Sequence, residues 1–177
     1  YYNGSSWSSW STSIPSFSAG LGGVNRIQGR RSCSGYGCNI ATTEVTWNVV
    51  ADPVAPLLTK SPDVATVCEG ATLTATLTQP GSGGTGTCNN QYRYSTDGGL
   101  NWTSWSSSIP SFNAVTGTNI IQSRRTCTGI GCDEAINSIS WTVIPDPIAP
   151  AITKNPADAV VCAGAVLTID VTTPGSG

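Results

Sequence analysis

Ala71-Thr72-Leu73-Thr74-Ala75-Thr76-Leu77-Thr78 alternates aliphatic residues with threonine without a break. Side chains of an extended chain point to opposite faces in turn, so Leu73, Ala75 and Leu77 share one face and the threonines the other. β-Branched threonine suits a pleated, half-buried surface. The stretch therefore predicts a strand with one face against a core. The alternation returns with Leu167, Ile169 and Val171 inward, with Val45, Trp47 and Val49, and with Ile139, Trp141 and Val143. Residues 91–95 read as a further strand with Tyr92 and Tyr94 on one face, and residues 119–127 as another. No segment carries a helical apolar stripe longer than about two turns. Val45, Trp47, Val49, Leu73, Leu77, Ile139, Trp141 and Val143 are the expected core.

These strands recur because the sequence itself recurs. Trp7-Ser8-Ser9-Trp10-Ser11 returns as Trp102-Thr103-Ser104-Trp105-Ser106, 95 residues on. Arg30-Arg31-Ser32-Cys33 returns as Arg124-Arg125-Thr126-Cys127, now 94 residues on, so a loop has lost one residue. Cys38 maps to Cys132, Trp47 to Trp141, Lys60 to Lys154, and Pro80-Gly81-Ser82-Gly83 to Pro174-Gly175-Ser176-Gly177. A period of 94–95 residues has the length of an Ig-like sandwich and is too long for a solenoid unit. The expected fold is all-β, in tandem Ig-like antiparallel β-sandwich repeats. Residues 1–52 read as the C-terminal part of one repeat, 53–147 as a complete repeat, and 148–177 as the N-terminal part of the next. Pro53, Pro56 and Pro62, echoed by Pro147, Pro150 and Pro156, fix φ and stiffen the passage between repeats.

Composition narrows the class. Of the 177 residues only 10% are charged, 38% are hydrophobic, and the net charge is −2. That balance makes no case for nucleic acid, and no apolar run is long enough for a membrane-spanning helix. Seven cysteines argue for an oxidising compartment outside the cytoplasm. Zinc would call for paired Cys-x-x-Cys or histidine ligands, and the chain has no His.

The complete repeat holds Cys68, Cys88, Cys127 and Cys132, for which three connectivities exist. Cys88 begins one strand and Cys127 ends the strand expected beside it antiparallel. Those two can bond, with Cα atoms about 4.4–6.8 Å apart. Cys33 then lacks its partner in this segment. Cys68 falls in the first turn, at the other end of the repeat, near the next repeat's counterpart of Cys132. A bond between repeats is open at those positions, which Cys38 and Cys162 also occupy.

The tryptophan clusters invite two readings. Trp7, Trp10, Trp102 and Trp105 resemble the W-S-x-W-S element of cytokine receptors and the W-x-x-W of thrombospondin type 1 repeats, where rings interleave with arginines. The resemblance points to Arg30, Arg31, Arg124 and Arg125, a strand downstream, as the stacking partners. Either the rings form a structural stack, or they form an exposed platform for a ligand such as a glycan. Asn3-Gly4-Ser5 and Asn101-Trp102-Thr103 fit the N-glycosylation sequon, and the outward threonines offer O-glycan sites. Ser95-Thr96-Asp97-Gly98-Gly99-Leu100-Asn101-Trp102 resembles the Asp-box hairpin of β-propellers, a turn in which Asp97 caps the backbone and glycines accept positive φ.

Catalysis finds little support. Without His there is no His-dependent triad. Asp133-Glu134 aligns with Asn39-Ile40, so the acids do not repeat with the domain. No catalytic residue, cofactor or metal is expected.

Thr59-Lys60-Ser61-Pro62, Val67-Cys68-Glu69-Gly70, Tyr92-Arg93-Tyr94-Ser95-Thr96-Asp97-Gly98-Gly99, Ile121-Gln122-Ser123-Arg124-Arg125-Thr126-Cys127 and Trp141-Thr142-Val143, taken together, resemble tandem Ig-like or PKD-like repeats of very large secreted Bacteroidetes surface proteins, including gliding-motility adhesins. The resemblance implies an extracellular, cell-surface location and a structural or adhesive role. The expected partners are neighbouring repeats or identical chains in a filament, and glycans. The alternative is a carbohydrate- or surface-binding module built on the repeated Trp and Arg residues.

Overall fold

The computed structural model describes residues 1–20 and 23–177. The described residues contain no helix and form strands only: β1 (Gly23–Arg31), β2 (Ala41–Val49), β3 (Leu57–Ser61), β4 (Thr66–Cys68), β5 (Thr72–Gln79), β6 (Cys88–Ser95), β7 (Phe112–Asn113), β8 (Gly117–Cys127), β9 (Ala135–Ile144), β10 (Ala151–Asn155) and β11 (Thr168–Thr173). The protein is all-β, as the alternation predicts. Strand orders are β1-β2, β10-β11, β3-β5-β7 and β4-β9-β8-β6. The chain divides into two compact units, one of Tyr1–Ala55, Gly81–Asn90 and Arg124–Ile136, the other of Pro56–Pro80, Gln91–Ser123 and Asn137–Gly177.

The second unit contains the core. Leu58, Leu73 and Ala75 of β3 and β5 meet Tyr92, Ile121, Trp141 and Val143 of β6, β8 and β9, with Ala114 beside them. Ile139, Tyr94, Phe112, Val67 and Ile109 pack around this cluster. Trp141 is 1% exposed, and its indole N–H donates to the Pro62 carbonyl at 2.9 Å, so the buried ring leaves no polar atom unpaired. β4 runs parallel to β9, with Thr66 opposite Thr142 and Cys68 opposite Ile144. Leu77 departs from its expected place. β5 runs past the core, so Leu73 and Ala75 are buried while Leu77 is exposed.

In the first unit, β1 and β2 form an antiparallel ribbon from Gly23 opposite Val49 to Arg31 opposite Ala41. The expected core residues Val45 and Trp47 are exposed here, Trp47 by 50%, and Val49 is half-buried. The alternation places them on one face, but burial requires a second layer over that face. Among the described residues, Trp47 shares a shallow pocket with Pro15, Phe17, Ala19 and Ile27 and receives no opposing sheet. Ile169 and Val171 on β11, and Leu167 before it, are exposed for the same reason.

Local structure repeats with the sequence. Asn25 and Asn119, both buried, each grip one backbone residue twice. Asn25 accepts from Gly20 N and donates to Gly20 O, both at 3.1 Å. Asn119 accepts from Val115 N at 3.1 Å and donates to Val115 O at 2.6 Å. Tyr1 stacks on Phe17 at 4.1 Å and Tyr94 on Phe112 at 4.0 Å. Lys60 donates to Val64 O and Lys154 to Asp158 O, each at 2.8 Å.

Candidate functional site

The tryptophans of residues 102–111 are half-buried around an arginine. Arg93 leaves the face of β6 opposite Tyr92 and Tyr94. Its guanidinium lies 4.3 Å from the ring centroid of Trp102 and 4.3 Å from that of Trp105. Its Nε and Nη2 donate to Gln122 Oε1 on β8, at 2.9 and 2.8 Å, which holds the guanidinium plane in place. A cation held between two half-buried indoles is attracted by both ring faces, each contact contributing about 0.5–2 kcal/mol.

Arg93 was not among the arginines expected to stack. It lies on β6, upstream of the tryptophans, and not in the Arg124-Arg125 pair downstream of them. Alternation alone puts it on the face opposite the two tyrosines, and that signal was available. Arg124 forms an ion pair with Glu134 at 3.0 Å. Arg125 donates from Nε to Gly83 O at 3.1 Å and from Nη1 to Asn90 Oδ1 at 3.0 Å, tying down the glycine-rich loop.

The first unit holds the other cluster in a different state. Arg30 lies over Trp10, 4.1 Å from its centroid. Ile40 stands where Glu134 stands in the later copy, so Arg30 has no carboxylate at that position. Trp7 and Trp10 are 47% and 49% exposed and line, with Tyr1, Ile14, Gln28 and Arg30, an open groove of about 830 Å³ beside β1. Arg31 is exposed at the end of β1.

Cys88 and Cys127 form a disulfide. The Cα atoms are 4.1 Å apart, closer than the expected window. Directly opposed residues at a non-hydrogen-bonded position of an antiparallel pair approach to about 4.5 Å, which accounts for the short span. Gly84, at φ +76°, passes against this bridge, and a Cβ there would run into the Cys127 sulfur. Cys33, Cys38, Cys68 and Cys162 are exposed free thiols, and Cys132 is a half-buried one. Cys68 pairs with Ile144, the last residue of β9. No group of three or more His, Cys, Asp or Glu that could hold a metal ion occurs among the described residues.

The hairpin at Asp97 is tightly capped. Asp97 Oδ1 accepts from Asn101 N at 2.9 Å and from Ser95 Oγ at 2.7 Å, and Oδ2 accepts from Asn101 Nδ2 at 2.7 Å. These donors, the Asn101 amide foremost, hold the carboxyl down at about 2 from the usual 3.8. Gly98 and Gly99 take positive φ of 73° and 94°, which the tight turn requires. Asn101, one sequon asparagine, thus has its side-chain nitrogen engaged. In the other, Asn3 Oδ1 accepts from Ser5 N, Ser5 Oγ and Ser6 N at 3.0–3.1 Å, bonds that leave the nitrogen uninvolved.

No protein-family model matches the chain, and no curated protein matches it. Among the described residues, no helix is long and apolar enough to cross a membrane.

Proposed function

We propose that this chain is part of a structural or adhesive extracellular protein, a shaft or filament of tandem Ig-like β-sandwiches of 94–95 residues, with residues 53–147 as one complete repeat. The observation that carries this reading is Arg93 held between Trp102 and Trp105. In the complete repeat the rings are spent on the protein's own arginine and are not turned outward as a coplanar platform. The disulfide joins residues 39 apart in sequence and suits an oxidising exterior. Two sheets sharing one core, with β4 parallel to β9, support the Ig-like assignment. Low charge leaves few ion pairs on the surface, so neighbouring chains and glycans are its natural partners. Asn3 suits a glycan better than Asn101, whose amide Asp97 holds.

The second reading, a carbohydrate- or surface-binding module, has the exposed Trp7 and Trp10 in its favour. Immunogold electron microscopy of native material with antibody to this chain is expected to place label along filaments outside the cell. Label confined to the cytoplasm overturns the shaft. Glycan-array binding that is lost in Trp10→Ala and kept in Trp105→Ala moves the assignment to the second reading.

A further inference from the structure

The passage through Asp52-Pro53 is held by more than its prolines. Proline fixes φ at Pro53 and Pro56 but leaves ψ there, and the dihedrals of Ala51 and Val54, free. Burial does not hold Ala51, Asp52 or Val54 either, since all three are exposed. From Ala55 onward the chain is anchored. Ala55 is buried, and the fully buried Pro56 accepts from Ser123 Oγ at 2.6 Å. Order in residues 51–54 has to come from backbone contacts.

A glycine-rich loop supplies them. Val54 N donates to Ser82 O at 2.7 Å, Ser82 N to Val54 O at 3.1 Å, and Gly84 N to Ala51 O at 2.8 Å. The three bonds straddle the Asp52-Pro53 junction. The approach is so close that it requires glycine. A Cβ on Gly83 would meet the Asp52 carbonyl oxygen, and one on Gly84 would meet Pro53 on one side and the Cys127 sulfur on the other. The loop is braced from behind. The Cys88–Cys127 bridge closes its base, Gly129 N donates to Thr85 O at 2.9 Å, and Arg125 donates to Gly83 O and to Asn90 Oδ1.

The same contact returns 94 residues later in the sequence. Ile148 N donates to Ser176 O at 2.5 Å and Ser176 N to Ile148 O at 3.1 Å. A Cβ on Gly177 would meet the Asp146 carbonyl oxygen, as one on Gly83 would meet that of Asp52. Recurrence at the matching place makes the arrangement a property of the repeat, not of one loop.

We propose that the Pro-Gly-Ser-Gly loop is a clasp that locks the linker ahead of each repeat, so that residues 51–54 move as part of a sheet edge and not as a swivel. The prolines restrict single dihedrals, and the clasp fixes the residues between and before them. The disulfide and Arg125 keep it closed by holding the loop against the linker. A chain with no filament role would keep the clasp.

The test is backbone 15N relaxation and amide hydrogen exchange on the whole chain with its disulfide intact. The N–H order parameters of Ala51, Asp52 and Val54 are expected near about 0.85, as in a rigid strand. In Gly84→Ala those of Ala51 and Asp52 should fall below about 0.6, and exchange at Val54 should rise about tenfold or more as the bonds open locally. The Ile121 amide in the core should stay protected and report an intact fold. Arg125→Ala removes one brace without touching the linker, and should speed exchange at Gly84 and Val54 by about tenfold through the loss of a charged hydrogen bond. Order parameters below about 0.6 at Asp52 and Val54 in the unaltered chain overturn the proposal. So does a folded Gly84→Ala whose linker stays as rigid as before. Should Gly84→Ala lose protection at Ile121, Arg125→Ala decides, and unchanged exchange at Gly84 and Val54 in that variant overturns the clasp.

Discussion

Val45-Thr46-Trp47-Asn48-Val49 and Ile139-Ser140-Trp141-Thr142-Val143 are close to one pattern, yet Trp47 is 50% exposed and Trp141 is 1% exposed. Both lie on the second strand of a long antiparallel pair, with the aromatic ring on the apolar face. The difference lies in what stands opposite. Leu58, Leu73 and Ala75 come over Trp141 in the shared core, and no described sheet covers Trp47. A strand's sequence specifies which face is apolar; the other layer decides whether that face is buried.

The sharpest way to break this comparison is truncation of the two rings. Trp141→Ala should lower stability by about 3–5 kcal/mol, since it empties a packed core site and strips the Pro62 carbonyl of its donor. Trp47→Ala should change stability by less than about 1 kcal/mol, as expected of a surface site. Urea unfolding of both variants checks it, and equal losses would mean that Trp47 is covered in solution.

The cysteines come next. Removing the bridge in Cys88→Ser/Cys127→Ser should cost about 2–4 kcal/mol through the entropy of the unfolded chain. Cys33→Ser, at the matching position without a partner, should leave the thermal midpoint within about 1–2 °C, since an exposed change falls within about 0.5 kcal/mol. Differential scanning calorimetry reads both.

A smaller pair of effects should be alike in the two regions. Asn119→Ala and Asn25→Ala each leave a backbone N–H and C=O without their side-chain partner, at a cost of about 1–3 kcal/mol. Amide hydrogen exchange at Val115 and Gly20 should rise in step with the lost stability.

The least effect separates the two hairpins by pH. Asp97 has its carboxyl pKa lowered to about 2 by the Asn101 amide, the Ser95 hydroxyl and the Asn101 side chain. A depressed acid stabilises the fold fully above its unfolded value of about 3.8, and that contribution is lost as pH falls through about 2. Asn3, which accepts from Ser5 and Ser6 in the shorter hairpin, carries no titrating proton. NMR shifts of the Asn101 amide should therefore move in a transition centred near pH 2, following the carboxyl's pKa of about 2. Those of the Ser5 and Ser6 amides should not follow that transition.

Period-two alternation was enough to place Leu73, Ala75, Trp141 and Val143, because each strand's apolar face does meet a second sheet. Antiparallel geometry was enough to pair Cys88 with Cys127. The same reasoning misplaced Val45, Trp47 and Leu77, since alternation carries no information about where the opposing layer stops. The resemblance linked the tryptophans to Arg30, Arg31, Arg124 and Arg125; Arg30 does lie over Trp10, while Trp102 and Trp105 take Arg93 from the strand that precedes them. Asn25 and Asn119 passed unnoticed as polar residues within β-runs. Asparagine is depleted in strands, and its return 94 residues later at the matching place was the overlooked sign.

The parallel pairing of β4 with β9 gives the second unit a direction of strength. Ala65 O accepts from Thr142 N and Ile144 O from Glu69 N, both at 2.9 Å, so the pair is bonded at both of its ends. A pull that enters ahead of β4 and leaves beyond β9 runs along both strands in opposite senses. It must slide the two past each other, loading the bonds between them at the same moment. The β1–β2 ribbon, pulled from its adjacent ends at Gly23 and Val49, would instead peel open one pair at a time. Tension applied lengthwise thus meets a shear joint in one part of the molecule and a zipper in the other.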